Sequence, residues 1–197
     1  MAANQKKTLE RNAHLVLIDE SGLLMAPLVK RTWALRGQRP VVKQKGKHRE
    51  KVSLAVALAL SPRRTHMELH CATLANAYFN NEKIVGFLTA LMRAIPRSMV
   101  ILWDRGNMHR GDPIRTALAR FWPRLSLETL PPWAPMLDPV EPIFSWLKNG
   151  QLSNYAPENA GELQRRIHEE LDAIRDDQEV LFNFWHASKL PLPKALI

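Results

Sequence analysis

Two apolar runs of strand length, each closing on an aspartate, restrict this chain more than any other feature. They are His14-Leu15-Val16-Leu17-Ile18-Asp19-Glu20 and Met99-Val100-Ile101-Leu102-Trp103-Asp104. A continuous apolar run, without alternation, is the pattern of a strand buried on both faces, and such strands belong in the middle of an α/β sheet. Loop residues follow each run, Ser21-Gly22 and Arg105-Gly106-Asn107. This reading puts Asp19 and Asp104 at the carboxyl ends of their strands, where open α/β sheets gather ligands.

The other elements fit the same architecture. Val52 to Leu60 and His66 to Leu74 read as two strands joined at Ser61-Pro62-Arg63-Arg64 in an antiparallel hairpin. From about Asn80 to Ile95 the apolar residues Ile84, Phe87, Leu88, Leu91, Met92 and Ile95 recur at helical spacing. Asp112-Pro113 opens a helix to about Phe121, with Asp112 as N-cap, and Leu125 to Leu130 is a fifth strand. Three more helices are expected, from Pro139 to about Lys148, from about Glu158 to Ile174 and from about Gln178 to Ala187. The fold class is therefore α/β, a mixed five-stranded sheet flanked by helices. At 197 residues and 46% hydrophobic content the chain can bury one substantial core. Trp33, Trp103, Trp146 and Trp185 are assigned to that core, and the single cysteine, Cys71, is read as a buried small hydrophobe.

The proline-rich stretch Leu130-Pro131-Pro132-Trp133-Ala134-Pro135-Met136-Leu137-Asp138-Pro139-Val140-Glu141 delivers a third acid at a defined point. Asp138 reads as the N-cap and Pro139 as the first residue of the helix that follows. Glu141 has two readings at this level. It closes a capping box with Asp138, or it meets Asp19 and Asp104 at a common site. Three carboxylates converging without a basic partner repel one another, and divalent cations relieve that repulsion. Hard cations of the magnesium type suit carboxylate oxygens, and two of them can flank an in-line phosphoryl displacement.

Charge points to a partner of opposite sign. The formal net charge is +9, which favours a polyanion such as nucleic acid. The basic segment holding Lys43, Lys45, Lys47 and Arg49 is either a solvated turn or a DNA contact. One cysteine excludes an intrachain disulfide and a cysteine-cluster zinc site, and the histidines lack metal-ligand spacing. No apolar run approaches the ~20 residues of a membrane span, so a cytoplasmic protein with no membrane partner is expected.

Four segments together resemble a known family. Leu17-Ile18-Asp19-Glu20-Ser21-Gly22, Arg31-Thr32-Trp33-Ala34-Leu35-Arg36-Gly37, Trp103-Asp104 with His109-Arg110, and Leu130-Pro131-Pro132-Trp133-Ala134-Pro135 running to Pro139-Val140-Glu141 and Trp146-Leu147-Lys148 are similar to the catalytic core of the mariner-like bacterial insertion-sequence transposases, DDE superfamily endonucleases. The resemblance covers residues 14–192, leaving a polar leader (1–13) and a short tail (193–197). It implies a ribonuclease H-like fold and a DNA transposase that uses Mg2+ or Mn2+, two ions in all. Asp19, Asp104 and Glu141 match the family's catalytic, metal-binding triad, with Asp19 shared between the ions. The implied reaction is hydrolysis at a transposon end, followed by attack of the freed 3′-hydroxyl on target DNA. Alternatives are a truncated transposase acting as a non-catalytic DNA-binding or interfering protein, and a ribonuclease H-like nuclease with another nucleic-acid substrate.

Further expectations concern the partners. Arg105, His109, Arg110 and Trp133 are candidates for contact with double-stranded DNA, against local capping, ion pairing or packing roles. The family commonly has Asn where this chain has Asp138, and a small or amide residue at Arg105. The resemblance also implies a helix-turn-helix region that reads transposon ends, expected here as a separate N-terminal region, a homodimer on DNA and a bacterial, nucleoid-associated setting.

Overall fold

The computed structural model describes residues 12–26, 28–43, 50–104, 111–132 and 134–192. Its elements are β1 (His14–Leu24), β2 (Lys51–Leu60), β3 (Met67–Ala75), α1 (Asn81–Ala94), β4 (Met99–Trp103), α2 (Asp112–Phe121), β5 (Leu125–Thr129), a 3-10 turn (Pro135–Leu137), α3 (Val140–Trp146) running into a π-helical turn (Leu147–Gln151), α4 (Ala160–Ile174) and α5 (Gln178–Ala187). The five strands form one sheet in the order β3-β2-β1-β4-β5. β1 pairs antiparallel with β2 and parallel with β4, and β4 is parallel to β5. The mixed five-stranded sheet expected from the sequence is therefore present.

Strand alternation divides the interior into two cores. On one face Leu15, Leu17, Leu54, Val56, Leu58 and Leu102 pack with Val140, Ile143 and Phe144 of α3 and with α4 and α5. On the other face Val16, Ile18, Ile101 and Trp103 pack beneath Ile84, Phe87, Leu88 and Leu91 of α1 and Ile114 of α2. β2 sorts its residues by size, with Leu and Val toward α3 to α5 and Ala55, Ala57 and Ala59 toward α1. Period-two side-chain direction is what makes this separation possible.

Local chemistry sets the helix starts. The Asn80 side chain accepts from the Lys83 N–H at 3.0 Å, the Asn159 side chain from the Glu162 N–H at 2.9 Å and the Asp177 side chain from the Val180 N–H at 3.1 Å. These are N-caps that satisfy donors with no partner inside the helix. The cap of α2 is Gly111 rather than the expected Asp112, which is the first helical residue and pairs with Arg115 instead. α4 carries ion pairs along its surface, Arg165 with Glu169 and Arg166 with Glu169 and Glu170.

Three expectations are corrected. β1 does not stop at Glu20, because Ser21 and Gly22 keep pairing with Leu54 and Ser53 of β2 and the strand runs to Leu24. Asp19 is thus inside an antiparallel ladder, although it stands past the last β4 partner. Trp103 and Trp185 are fully buried and Trp146 packs at the edge of the larger core, but Trp33 is 100% exposed. Cys71 is only partly buried, with Sγ 3.8 Å from His168 Nδ1. His168 Nε2 lies 2.8 Å from Thr73 Oγ1, which also accepts from Gln164 Nε2 at 2.7 Å, so this polar group ties α4 to the edge strand β3. No helix among the described residues is long and apolar enough to cross a membrane.

Candidate active site

Parallel pairing of β1 and β4 brings the first two acids together. Leu17 is paired with Leu102, and two residues further along each strand stand Asp19 and Asp104. Both share a face with Leu17 and Leu102, the face covered by α3. The chain returns to this place through the Leu130 N–H, which donates to the Trp103 carbonyl at 2.7 Å. The proline-rich loop therefore leaves from beside Asp104. It ends in a 3-10 turn and in α3, whose Val140, Ile143 and Phe144 are buried. Glu141 is one position round from Val140, at the margin of that buried stripe and exposed.

The result is a cavity of about 470 Å³ whose lining includes Asp19, Asp104, Asp138 and Glu141 with Leu130 and prolines of the loop. None of its nine described lining residues is basic. Asp19 accepts from the Glu20 N–H at 2.8 Å, yet burial, followed by the nearby charges of Glu141, Glu20 and Asp104, pushes its carboxyl up to about 7. Asp138 is 4% exposed, and burial together with Asp19 raises it well above the usual carboxylate range. The helix begins at Val140 with Pro139 as its N-cap and no side-chain cap bond, so Asp138 is not the N-cap, and Pro139 not the first helical residue, that the sequence led us to expect; one Asp138 oxygen instead accepts from the Val140 N–H at 2.9 Å, two residues on.

Four carboxylates around one cavity, two held above their normal range by burial and mutual repulsion, fit cations as the missing charge. Among the described residues, no three His, Cys, Asp or Glu side chains form a group that could hold a metal ion by itself. That donor set suits magnesium-type ions, which take one or two carboxylates each and keep water and phosphate as remaining ligands. A zinc ion, which wants three or four protein ligands, fits this donor set poorly.

The family profile of the DDE superfamily endonucleases matches residues 14–164, most of the chain and all four acids. The chain belongs to the DDE superfamily endonucleases. Among solved structures, this DDE superfamily endonuclease is similar to the Mos1 strand transfer complex, with 18% identity and a TM-score of 0.60 over 93% of this chain and 56% of that chain. It is also similar to the Mos1 mariner paired end complex with Mn, with 17% identity and a TM-score of 0.62 over 93% of this chain and 59% of that chain. The Mos1 transposase catalytic domain with Raltegravir and Mg gives 15% identity and a TM-score of 0.54 over 93% of this chain and 89% of that chain. The chain thus spans just over half the length of the Mos1 chains in the DNA complexes, and these likenesses establish the ribonuclease H-like fold. A comparison with curated protein sequences returns no match.

Of the candidate residues in this DDE superfamily endonuclease, Asp19, Asp104 and Glu141 share the cavity, and Lys43 is exposed on the connection between β1 and β2, outside the cavity lining. Arg105, His109, Arg110, Trp133, Lys45, Lys47 and Arg49 lie outside the described residues. Asp138, read from the sequence as a helix cap and as an extra negative charge where the family commonly has Asn, stands in the cavity wall near Asp19. Lys148 was missed as a contact. Its Nζ donates to Ser21 Oγ at 2.5 Å, joining the π-helical turn after α3 to β1, and nothing in the spacing of 127 residues announces that pair.

Asp138 offers a test of the hydrogen bond against the charge. Asp138→Asn keeps an oxygen for the Val140 N–H and removes a buried negative charge, so it is expected to melt above the wild type at neutral pH in the absence of divalent ions. Asp138→Ala loses that bond as well and is expected to fall about 1 kcal/mol below the Asn variant. Thermal unfolding of the three proteins in EDTA checks the order.

Proposed function

We propose that this chain is the catalytic domain of a DNA transposase of the mariner-like bacterial insertion-sequence type, cutting double-stranded DNA at transposon ends and joining the freed 3′-hydroxyl to target DNA. The observation that carries the proposal is the convergence of Asp19, Asp104 and Glu141 on one cavity without a described basic lining residue. The Mos1 chains of matching fold were solved as strand transfer and paired end complexes, and with Mn or Mg, which supports DNA and these ions as partners here. The transposase domain occupies residues 14–192, flanked by the leader and tail. Reading of transposon ends falls to a separate helix-turn-helix region, and two copies assemble on DNA to hold two ends.

Asp19, Asp104 and Glu141 would hold Mg2+ or Mn2+, with Asp138 adding negative charge behind them. When bound, such ions polarise the scissile phosphate and lower the pKa of the attacking water or hydroxyl. The protein contributes position. Asp19 is fixed by the β1 ladder and by its bond from the Glu20 N–H, and Asp104 by the end of β4. Glu141 is fixed in the first turn of α3, where the Val140 N–H donates to Asp138. Burial and the neighbouring acids push the Asp19 carboxyl up to about 7, so a cation held there would compete with a proton and bind better as pH rises through that range. No side chain needs to form a covalent intermediate.

Two measurements test this reading. Ten millimolar Mg2+ is expected to raise the melting temperature at pH 8 but scarcely at pH 5. An ion at tenfold its Kd stabilises by ~1.4 kcal/mol, a shift of about 3 to 6 °C for a chain of this size. A labelled duplex with a free 3′-hydroxyl, incubated with plasmid and Mn2+, is expected to become covalently joined to it. Nicking without joining would make the chain a hydrolytic nuclease rather than a transposase.

A further inference from the structure

Charge is distributed unevenly from one end of the sheet to the other. The three parallel strands β1, β4 and β5 start together: the His14 N–H donates to the Ser98 carbonyl at 2.8 Å and the Met99 N–H to the Arg124 carbonyl at 2.7 Å. From there β1 and β4 run toward Asp19, Asp104 and the carboxylate cavity. Met99 to Asp104 is five residues, or ~17 Å at strand rise, so the two ends are well separated and face opposite ways.

At the starting end the chain enters β4 and β5 from the C-termini of α1 and α2, and both passages carry arginine. Arg93 is in the last turn of α1 and Arg97 precedes β4; Arg120 is in the last turn of α2 and Arg124 precedes β5. All four are exposed. Residues 83–103 and 113–127, which contain them, hold no Asp or Glu. Among the described residues none of the four forms an ion pair. Trp122, between Arg120 and Arg124 in the chain, is 61% exposed. The two passages are tied to each other by Arg124, whose Nη2 donates to the Met92 and Ile95 carbonyls, each at 3.0 Å. Met92 adjoins Arg93 and Ile95 is two residues from Arg97, so this bond gathers the arginines of both passages at one place.

Helix ends account for only part of this charge. A helix C-terminus carries roughly −0.5 of an elementary charge, which a basic residue in its last turn complements, so two helix ends match about one of the four cations. Arg124 already serves α1 through its carbonyls. The remaining arginines face solvent with no acid beside them in the sequence.

We propose that Arg93, Arg97, Arg120 and Arg124 form a second DNA-binding surface, which holds a duplex other than the one being cut. The inference rests on the proposed function, in which one DNA end is joined to another DNA. Charge selects the occupant: the duplex presents one negative charge per ~1.7 Å of its axis, and the forked donors of arginine suit phosphate oxygens. Position separates this duplex from the substrate of the cavity. The two ends of the sheet face opposite ways, so a single duplex touching both would have to bend sharply round the fold, which stiff DNA resists. The uneven charge also sets an order. The acidic end repels phosphate until cations enter it, whereas the arginine end attracts phosphate with or without metal.

The test compares the full chain with Arg93→Gln/Arg97→Gln/Arg120→Gln and with lysine at the same three positions. Arg124 is left in place because it also holds the end of α1. The substituted side chains are exposed, so melting temperatures are expected to stay within a few degrees of the wild type. Affinity for a labelled short duplex without transposon sequence is read by fluorescence anisotropy in EDTA. The glutamine variant is expected to bind more than about tenfold more weakly, with the slope of log K against log salt lowered by ~2 to 3, near 0.9 per lost phosphate contact. The lysine variant should keep the wild-type slope; a lysine variant as weak as the glutamine one would overturn an electrostatic grip. With Mn2+ and saturating labelled duplex, the glutamine variant should cut that duplex at the wild-type rate, while joining it to plasmid falls by about tenfold, in step with the lost affinity. Equal falls in cutting and joining would overturn the second-duplex assignment and place the arginines on the cut DNA. Wild-type binding, slope and joining in the glutamine variant would overturn the surface, and metal-dependent cutting in the same assay would leave the proposed function standing. A wild-type chain that neither binds nor cuts DNA would overturn the proposed function along with the surface.

Discussion

Asp19→Asn is expected to raise the stability of the metal-free protein while lowering metal-dependent DNA cleavage by ~1,000-fold or more, beyond the ~10- to 100-fold typical of losing an outer-shell partner. The stability gain follows from the direction of the pKa shift. Burial and neighbouring acids move the Asp19 carboxyl from 3.8 to about 7. Between these values the folded state holds a proton that the unfolded chain has lost. Stability from this group therefore falls as pH rises through that window and is lowest above pH 7. Asparagine is neutral at every pH and occupies nearly the same volume. At about 1.4 kcal/mol per pKa unit the difference at pH 8 is a few kcal/mol. That corresponds to a melting temperature on the order of 5 to 10 °C above the wild type. At pH 4 the two proteins should melt together. Thermal unfolding in EDTA across this range, beside a cleavage assay, measures both halves. A variant that is less stable at pH 8 would contradict the electrostatic account of the cavity.

Glu141→Gln is the second large effect, and its signature differs. Cleavage should again fall by ~1,000-fold or more, but with little change in stability. Glu141 is exposed, and α3 starts after Pro139 with no side-chain cap bond. A capping-box role for Glu141 would give the reverse pattern, with about 1 kcal/mol of stability lost and cleavage largely kept. The variant therefore separates the two readings of Glu141 that its sequence context leaves open.

Much of the architecture is legible because burial leaves periodic traces. The unbroken apolar runs ending at Asp19 and Asp104 are the central strands β1 and β4, and the three-four spacing of Ile84, Phe87, Leu88 and Leu91 is α1. What sequence obscures is set by pairing between distant segments. Ser21-Gly22 reads as a loop, but β2 supplies partners that extend the strand past it. Trp33 reads as core because large aromatics usually are, and only the fold shows that none of the described elements covers it on the connection between β1 and β2. Asp138 reads as the N-cap, but the helix starts a residue later with Pro139 in that place, and the burial of Asp138 beside Asp19 depends on where a loop folds back on β4. Asn154, whose side chain accepts from the Lys30 N–H and donates to the Lys30 carbonyl, joins residues 124 apart through backbone groups that carry no sequence signature.

The most direct test of the central claim is nicking of supercoiled plasmid by the purified chain with Mg2+, Mn2+ or EDTA. The account predicts open-circular product with either ion, none in EDTA, and none from Asp104→Asn under any condition. Cleavage that persists in EDTA, or that Asp104→Asn retains at the wild-type rate, would contradict a metal-dependent site built on the carboxylates of β1, β4 and α3.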